Sequence, residues 1–144
     1  MGYSVSKAII VVERDAGSEY LMSIKRDTGS ANDGKLEFLG GRMESGESPQ
    51  EGFVRELSEE ETTGNLSAIA RRNDLAYVEH QIGDVLHCLF TLGISYEAYS
   101  ALIFHPAESR GFVLVSTQGL GSDSGKFTRK TNKIIPLLNL PVSP

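Results

Sequence analysis

Residues 40–60 read GGRMESGESPQEGFVRELSEE, and this stretch decides which fold the chain is expected to adopt. Ser48 has the side chain of a helix N-cap, and Pro49 stands at the first helical position. Glu51, three residues after the cap, completes a capping box. The pattern predicts a helix from Pro49 to about Thr62, preceded by a loop that begins with two glycines.

The second half of this helix is rich in glutamate. Successive helical residues rotate by about 100°, so Glu56, Glu59 and Glu60 fall within roughly a 100° arc, while Glu61 points away. Unit charges about 4 Å apart repel by about 4 kcal/mol at an effective dielectric near 20. A bound cation would relieve this repulsion; the alternative is a solvated acidic face, which most glutamate-rich helices have. Oxygen-only ligands favour Mg²⁺, Mn²⁺ or Ca²⁺ over Zn²⁺, and Mg²⁺ commonly shares a substrate's phosphates.

The residues around the helix start add candidates for the same site. The Gly40-Gly41 pair permits a close approach of the backbone to a ligand or to the helix. Glu47 either joins the metal cluster from the loop or places a favourable charge at the helix N-terminus, worth about 0.3 to 1 kcal/mol. Arg55 lies on the flank of the acidic arc, where a guanidinium can orient a carboxylate by a bidentate contact. A structural role for this arginine is favoured over direct substrate contact.

The rest of the chain predicts a mixed sheet and a second helix. The predicted strands are Val5–Glu13 and Tyr20–Arg26 as a hairpin, Lys35–Phe38 after an exposed loop at Asp27–Gly34, then Leu66–Arg71, Leu75–Gln81, Asp84–Ile94 and Gly111–Ser116. A closing helix is predicted over Ser124–Leu138, where Pro136 bends or ends it. Its basic face consists of Lys126, Arg129, Lys130 and Lys133. These elements predict one α/β or α+β domain over residues 1–144.

The composition excludes several classes of protein. The chain has 144 residues and a net charge of −5, which argues against extended nucleic acid as a partner. No apolar run approaches the roughly 20 residues that cross a bilayer, and Met1–Lys7 lacks a secretion signal, so a cytoplasmic protein without a membrane partner is expected. Cys88 is predicted to be a buried, inert thiol. His80, His87 and His105 have no metal-ligand spacing and receive no role.

One set of residues, taken together, resembles the Nudix box. That pattern is a glycine, five residues, a glutamate, seven residues, and then Arg-Glu-apolar-any-Glu-Glu; the matching residues are Gly41, Glu47, Arg55, Glu56, Leu57, Glu59 and Glu60. Six positions that each require one residue type match by chance on the order of once in ten million windows. Lys35–Gly41 is similar to the approach to the box in MutT-like members, with Leu39 in place of their proline. Thr62 stands where the box usually ends in glycine, which puts the helix end in question.

The resemblance implies a mixed sheet sandwiched between helices, in a single Nudix domain that hydrolyses a nucleoside diphosphate linked to another group. It implies Glu56, Glu59 and Glu60 as the main ligands of Mg²⁺, with Mn²⁺ as a possible substitute, and Glu47 as support for the cluster. Water attacks phosphorus in this family, and Glu56 or a neighbour would activate it. Arg55 belongs to the same catalytic set.

The resemblance also suggests contacts with a substrate. Arg26 matches an arginine that contacts phosphate in MutT-like proteins, although a solvated strand end is an equally good interpretation. Phe38 would flank a base, or it is simply a core residue of its strand. Gly40 and Gly41 would line the substrate site. Members often use one more carboxylate from a loop outside the box, and the candidates by position are Glu97 and Glu108.

The expected function is therefore metal-dependent hydrolysis of a nucleoside triphosphate or a related nucleotide, as in the removal of damaged nucleotides. Alternative substrates are ADP-ribose, a diadenosine polyphosphate or a capped RNA end, because loops outside the box choose the substrate. A nucleotide-sensing module without turnover is a further alternative, although the box carboxylates are all present. The expected partner is a small nucleotide, and the protein would be a monomer or a homodimer.

Overall fold

The computed structural model describes residues 2–72, 74–121 and 123–138. Its strands are β1 (Tyr3–Arg14), β2 (Gly17–Lys25), β3 (Leu36–Glu37), β4 (Leu39–Arg42), β5 (Ala76–Ile82), β6 (Val85–Ile94) and β7 (Ser109–Ser116). Its helices are α1 (Pro49–Glu60), α2 (Asn65–Ala70), α3 (Tyr96–Ser100), α4 (Thr117–Leu120) and α5 (Arg129–Ile134), with 3₁₀ turns at Ser124–Lys126 and Ile135–Leu137. The predicted fold class is confirmed, because these strands form one mixed sheet that has helices against both faces.

Strand β1 organises the sheet. Ile9 is 3% exposed and Ile10 is fully buried, so successive side chains enter cores on opposite faces. Along one side β1 pairs in parallel with β6 over Tyr3–Val12. Along the other side, Val5–Ala8 pairs with β4 and Val11–Arg14 pairs with β2, both antiparallel. The strand order is β3-β2-β1-β6-β5, and β7 pairs with β2. The predicted hairpin is therefore present, and β1 also carries the glycine-containing strand β4.

Each face of the sheet packs against its own apolar core. On the first face, α1 buries Phe53 and Leu57, and the Phe53 ring stacks on Phe90 with ring centroids 4.2 Å apart. On the second face, Phe127 and Ile134 of the C-terminal segment are buried. The two cores fix α1 and α5 on opposite faces of the sheet.

The start of α1 is as predicted, and the backbone after its end shows why Thr62 can stand where the box usually has a glycine. Ser48 Oγ accepts from the Glu51 N–H at 3.1 Å, and Glu51 Oε1 accepts from the Ser48 N–H at 2.9 Å. The helix ends at Glu60, and Glu61 is already extended with φ −126° and ψ 124°. The left-handed residue comes later, at Gly64 with φ +83°. Thr62 therefore needs no glycine conformation, and its N–H donates to the Ile103 carbonyl at 2.8 Å.

The prediction of an extended segment at Leu66–Arg71 is wrong, because Asn65–Ala70 forms α2. Leu66 and Ala70 lie four residues apart and are both buried, which is the spacing of one helical face. In a run this short, an apolar pattern does not distinguish a strand from a helix. The buried carboxylate of Glu61 lies at the start of α2 and contacts the Leu66 N–H at 3.5 Å.

The prediction of a continuous C-terminal helix over Ser124–Leu138 is also wrong. A 3₁₀ turn is followed by extended residues, the short helix α5 and a second 3₁₀ turn that contains Pro136. Phe127 forms a bridge with Leu36 of β3, and the Thr128 N–H donates to the Leu36 carbonyl at 3.1 Å. Thr128 then caps α5, so this pairing with a distant strand interrupts the helix.

The other predicted strands are confirmed with shifts of at most three residues at their ends. Cys88 is fully buried in the first core, as predicted. Among the described residues, no helix is long and apolar enough to cross a membrane.

Candidate functional site

The guanidinium of Arg55 gathers the acidic side chains around α1. Its Nε and Nη2 donate to the two carboxylate oxygens of Glu47 at 2.7 and 3.0 Å. Its Nη1 donates to Oε1 of Glu56 and to Oε1 of Glu59, each at 3.2 Å, and lies 3.7 Å from Glu44. The bidentate partner is therefore Glu47 from the loop, and one cation holds three box carboxylates together.

The glycine pair of β4 lets the helix glutamates approach the sheet. Gly40 has φ +117°, and its N–H donates to both carboxylate oxygens of Glu60 at 3.1 and 3.3 Å. A Cβ on Gly40 would lie 2.1 Å from the Ser6 carbonyl oxygen, and a Cβ on Gly41 would lie 2.8 Å from the Glu56 carboxyl group. Both glycines are steric requirements of this arrangement.

Two of the box carboxyls are poorly solvated. Burial raises the pKa of Glu60 well above its ordinary value, and the positive charge of Lys7 opposes the effect. Burial also raises the pKa of Glu56, where Arg55 opposes and the neighbouring Glu59 adds to the shift. In both carboxyls, the loss of solvation of the charged form outweighs the positive charge nearby, so a further cation bound to them would stabilise the ionised form.

Lys7 is a functional candidate that the sequence analysis missed. It is 6% exposed, and its Nζ donates to the carbonyls of Phe38 at 3.3 Å and of Gly40 at 3.2 Å. A buried ammonium is costly unless it is hydrogen-bonded, so these contacts are needed to hold it there. The available signal was its position: Val5, Lys7 and Ile9 share one face of an apolar strand, where a lysine is unusual.

A pocket of about 410 Å³ opens beside the glycine pair. It is lined by residues from β1, β3, β4, the end of β2 and its following loop, and the start of α5: Val5, Lys7, Lys25, Asp27, Asn32, Glu37, Gly40, Gly41, Arg42, Thr128, Arg129 and Lys130. Five of these side chains are cationic and two are anionic, which gives the lining a formal charge of +3 in a protein of net charge −5. The pocket is therefore suited to an anion.

Two of the predicted substrate contacts do not line this pocket, whereas Gly40 and Gly41 do. Phe38 is fully buried in the second core, so the prediction that it flanks a base is wrong. Arg26 directly follows β2 and is exposed. Its neighbour Lys25 lines the pocket instead, since adjacent side chains of an extended chain point in opposite directions.

The candidates for an additional carboxylate lie in different places. Glu97 is on α3, where the adjacent Tyr96 ring packs on Arg14 at the far end of β1 from the glycine pair. At about 3.3 Å per strand residue that separation is roughly 20 Å, so the prediction of Glu97 at the site is wrong. Glu108 lies in the turn after His105, whose N–H donates to the Glu60 carbonyl at 2.8 Å. Glu108 is exposed, and its role as the additional carboxylate stays a prediction.

The comparison with protein families settles the resemblance. The model of the NUDIX domain matches residues 4–111. The chain belongs to the Nudix hydrolase family. This Nudix protein keeps every carboxylate of the box, and Arg55 and the glycine pair bring those carboxylates together.

Solved structures of several other proteins share the fold. A MutT protein from Methanosarcina mazei Go1 is 17% identical with a TM-score of 0.61, and the match covers 94% of this chain and 93% of that one. DR0079 from Deinococcus radiodurans is 18% identical with a TM-score of 0.71, over 95% and 83% of the two chains. A bifunctional NMN adenylyltransferase/ADP ribose pyrophosphatase from Francisella tularensis, complexed with AMP and a Mn ion, is 17% identical with a TM-score of 0.65, over 96% and 41%. No curated protein sequence matches this Nudix protein.

Proposed function

We propose that this Nudix protein hydrolyses a diphosphate linkage in a small nucleotide-like molecule, with Mg²⁺ or Mn²⁺ bound by Glu56, Glu59 and Glu60. The observation that carries the proposal is that the box carboxylates gather beside an anion-attracting pocket. A nucleoside triphosphate is the leading substrate. ADP-ribose, a diadenosine polyphosphate and a capped RNA end are the alternatives, and the AMP and Mn ion bound by the Francisella protein support this class of ligand.

The donor set has the right chemistry for a divalent cation, because all the candidate ligands are carboxylate oxygens. In the described residues, no three His, Cys, Asp or Glu side chains are close enough together to hold a metal ion as they stand. The box carboxylates accept hydrogen bonds from Arg55 and from the Gly40 N–H in this structure. The Glu59 side chain is 45% exposed, so it has room to turn from Arg55 towards an ion. A bound cation would neutralise charge on the phosphate oxygens and lower the pKa of a bound water.

The protein's own groups then have distinct roles. Arg55 is a positioning residue, because it fixes Glu47 by two hydrogen bonds and holds Glu56 towards the glycine pair. Glu56, whose carboxyl group lies against Gly41, would accept a proton from the attacking water. Lys7, held under Gly40, adds fixed positive charge for the diphosphate.

The test is turnover of a panel of diphosphate compounds with Mg²⁺ or Mn²⁺ by the wild type, Glu56→Gln and Glu59→Gln. Each substitution is expected to lower kcat/KM at least about 100-fold and to leave the melting temperature equal or slightly higher, because like-charge repulsion is relieved. Glu97→Gln is the matched control and is expected to behave as wild type. Wild-type activity in both box variants, or no product from any compound with the wild type, would overturn the proposal.

Product identity separates the candidate substrates. A nucleoside triphosphate cleaved between its α and β phosphates gives a nucleoside monophosphate and pyrophosphate, whereas ADP-ribose gives AMP and ribose 5-phosphate. Chromatography of the reaction products therefore assigns the substrate class in one experiment.

A further inference from the structure

Three cations at the pocket have no acidic partner. In the described part of the chain, no carboxylate oxygen lies within 4 Å of the side-chain nitrogens of Arg42, Arg129 or Lys130, whereas Lys25 pairs with Glu37 at 3.2 Å. The other side chains of the molecule that form ion pairs do so on the surface or around α1. Of the nine lysine and arginine side chains that form no ion pair in the described part of the chain, four line this pocket: these three and Lys7.

Two of these cations share one aromatic ring. The Arg42 guanidinium carbon lies 4.3 Å from the centroid of the Tyr3 ring, and Lys130 Nζ lies 5.1 Å from it. The cation–π contacts with Tyr3 keep these two positive charges near each other, and the charges repel. A negatively charged group would stabilise each cation more than the ring does. An anion bound between them would relieve that repulsion.

The backbone that carries Arg129 and Lys130 is fixed. Immediately before them, Phe127 is 1% exposed and Thr128 bonds to the Leu36 carbonyl of β3. Immediately after them, Thr131 is 1% exposed, and its N–H donates to Thr128 Oγ1 at 3.3 Å. The two cations therefore project from a turn that is anchored on both sides, which favours a defined ligand over nonspecific attraction.

The rest of the lining indicates what kind of ligand fits. No aromatic ring is among the described residues that line the pocket, and the nearby Tyr3 ring is in contact with Arg42 and Lys130. The neutral polar groups of the lining are Asn32 and Thr128. Arginine and lysine bind phosphate oxygens strongly, and carboxylates such as Asp27 accept hydrogen bonds from sugar hydroxyls. The lining thus suits a phosphorylated sugar better than a base.

From these contacts we propose that the part of the pocket lined by Arg42, Arg129 and Lys130 binds a phosphate monoester of the substrate, whereas the diphosphate that is cleaved lies at the glycine pair and Lys7. Arg42, Arg129 and Lys130 are then specificity-determining residues, and preferred substrates carry an additional phosphate on a sugar. This inference rests on the proposed function, since it names a part of the substrate that the box does not handle.

The first test uses pairs of diphosphate compounds that differ by one sugar phosphate: NADP against NAD, and coenzyme A against dephospho-coenzyme A. For at least one pair, kcat/KM is expected to be about 10- to 100-fold higher for the phosphorylated member, the factor that one charge-assisted contact provides. The double variant Arg129→Gln/Lys130→Gln should bring that ratio close to one. The control Lys126→Gln/Lys133→Gln removes the same charge from exposed positions outside the pocket and should keep the ratio.

The second test measures binding without turnover. Calorimetric titration compares adenosine 2′,5′-bisphosphate and adenosine 3′,5′-bisphosphate with AMP, none of which contains a diphosphate. Tighter binding of a bisphosphate by about tenfold, abolished in Arg129→Gln/Lys130→Gln and kept in the control, supports the pocket even if no diphosphate is hydrolysed. If diphosphates are hydrolysed but neither pair shows a preference and neither bisphosphate binds more tightly than AMP, the inference fails and the proposed function stands.

Discussion

Replacing Glu61 tests how the end of α1 is held, independently of any catalytic role. Its side chain is 1% exposed. Oε2 accepts from the Thr63 N–H at 3.0 Å, the Thr63 hydroxyl at 2.6 Å and the Ile103 N–H at 3.1 Å. These bonds join α1, the start of α2 and the segment before β7 through one buried carboxylate.

The magnitude follows from those contacts. Glu61→Gln keeps the side-chain volume and one carbonyl oxygen, so three charge-assisted bonds become neutral bonds of roughly half the strength. With about 1.5 to 3 kcal/mol for a bond to a charged group, the loss is about 2 to 4.5 kcal/mol in the free energy of unfolding. For a chain of this size that lowers the melting temperature by about 6 to 15 °C.

The pH dependence has a definite sign. The hydrogen bonds to Glu61 hold its pKa below the ordinary value of 4.5, against the opposing effect of burial. A carboxyl with a lowered folded pKa stabilises the fold fully above the unfolded pKa, and this contribution is lost as the pH falls through the folded value. The stability difference between wild type and Glu61→Gln should therefore be complete at pH 7 and should shrink below about pH 4.5.

The assay is urea unfolding followed by circular dichroism at pH 7 and at steps down to pH 3. Glu108→Gln, an exposed glutamate, is the matched control and should stay within about 0.5 kcal/mol of wild type. A Glu61→Gln protein as stable as wild type at pH 7, or a deficit that persists unchanged at pH 3, would refute the reasoning.

Three further changes probe other parts of the structure. Gly41→Ala should displace the Glu56 carboxyl group and lower activity, with only a small loss of stability. Gly40→Ala places a methyl group 2.1 Å from the Ser6 carbonyl oxygen and should lower the free energy of unfolding by more than about 2 kcal/mol. Activity assays and urea unfolding of both variants check these expectations. Burial, together with nearby cations such as Lys7, lowers the pKa of His87 below its ordinary value of 6.5. Its contribution to the free energy of unfolding should therefore be complete above pH 6.5 and decrease as the pH falls below that value. In a pH series of melting temperatures, His87→Gln should show a smaller decrease than the wild type. Thr62→Gly, which restores the usual box residue, should lower stability by about 1 kcal/mol in urea unfolding, because no left-handed residue is needed there.

The sequence predicts α1 and its acidic face well because the signals are local. The cap at Ser48 and the spacing of Glu56, Glu59 and Glu60 lie within 13 residues, so the helix alone determines them. Local patterning also predicts the hairpin of β1 and β2. What it does not contain is the parallel pairing of β1 with β6, which joins residues about 80 positions apart.

The errors have the same origin. The break at Phe127 depends on a bridge to Leu36, and alternation in a strand does not say whether Phe38 meets a core or a cleft. The role of Lys7 depends on the carbonyls of Phe38 and Gly40, which are 31 and 33 positions further along the chain. The pocket cations come from β1, β2, β4 and α5, so only the tertiary fold brings them together.

The flanking of β1 on both sides has a consequence for the protein's motions. Its amides are protected by β6 along one edge and by β4 and then β2 along the other, whereas in the described part of the chain β5 has a partner on one edge only. Deuterium should therefore enter β5 through small local openings and reach the amides near Lys7, which is paired on both edges, only when the protein unfolds globally. Lys7 and the strand residues that pair with Gly40 and Gly41 all lie on β1. The part of the site that β1 holds should therefore stay in place until the protein unfolds.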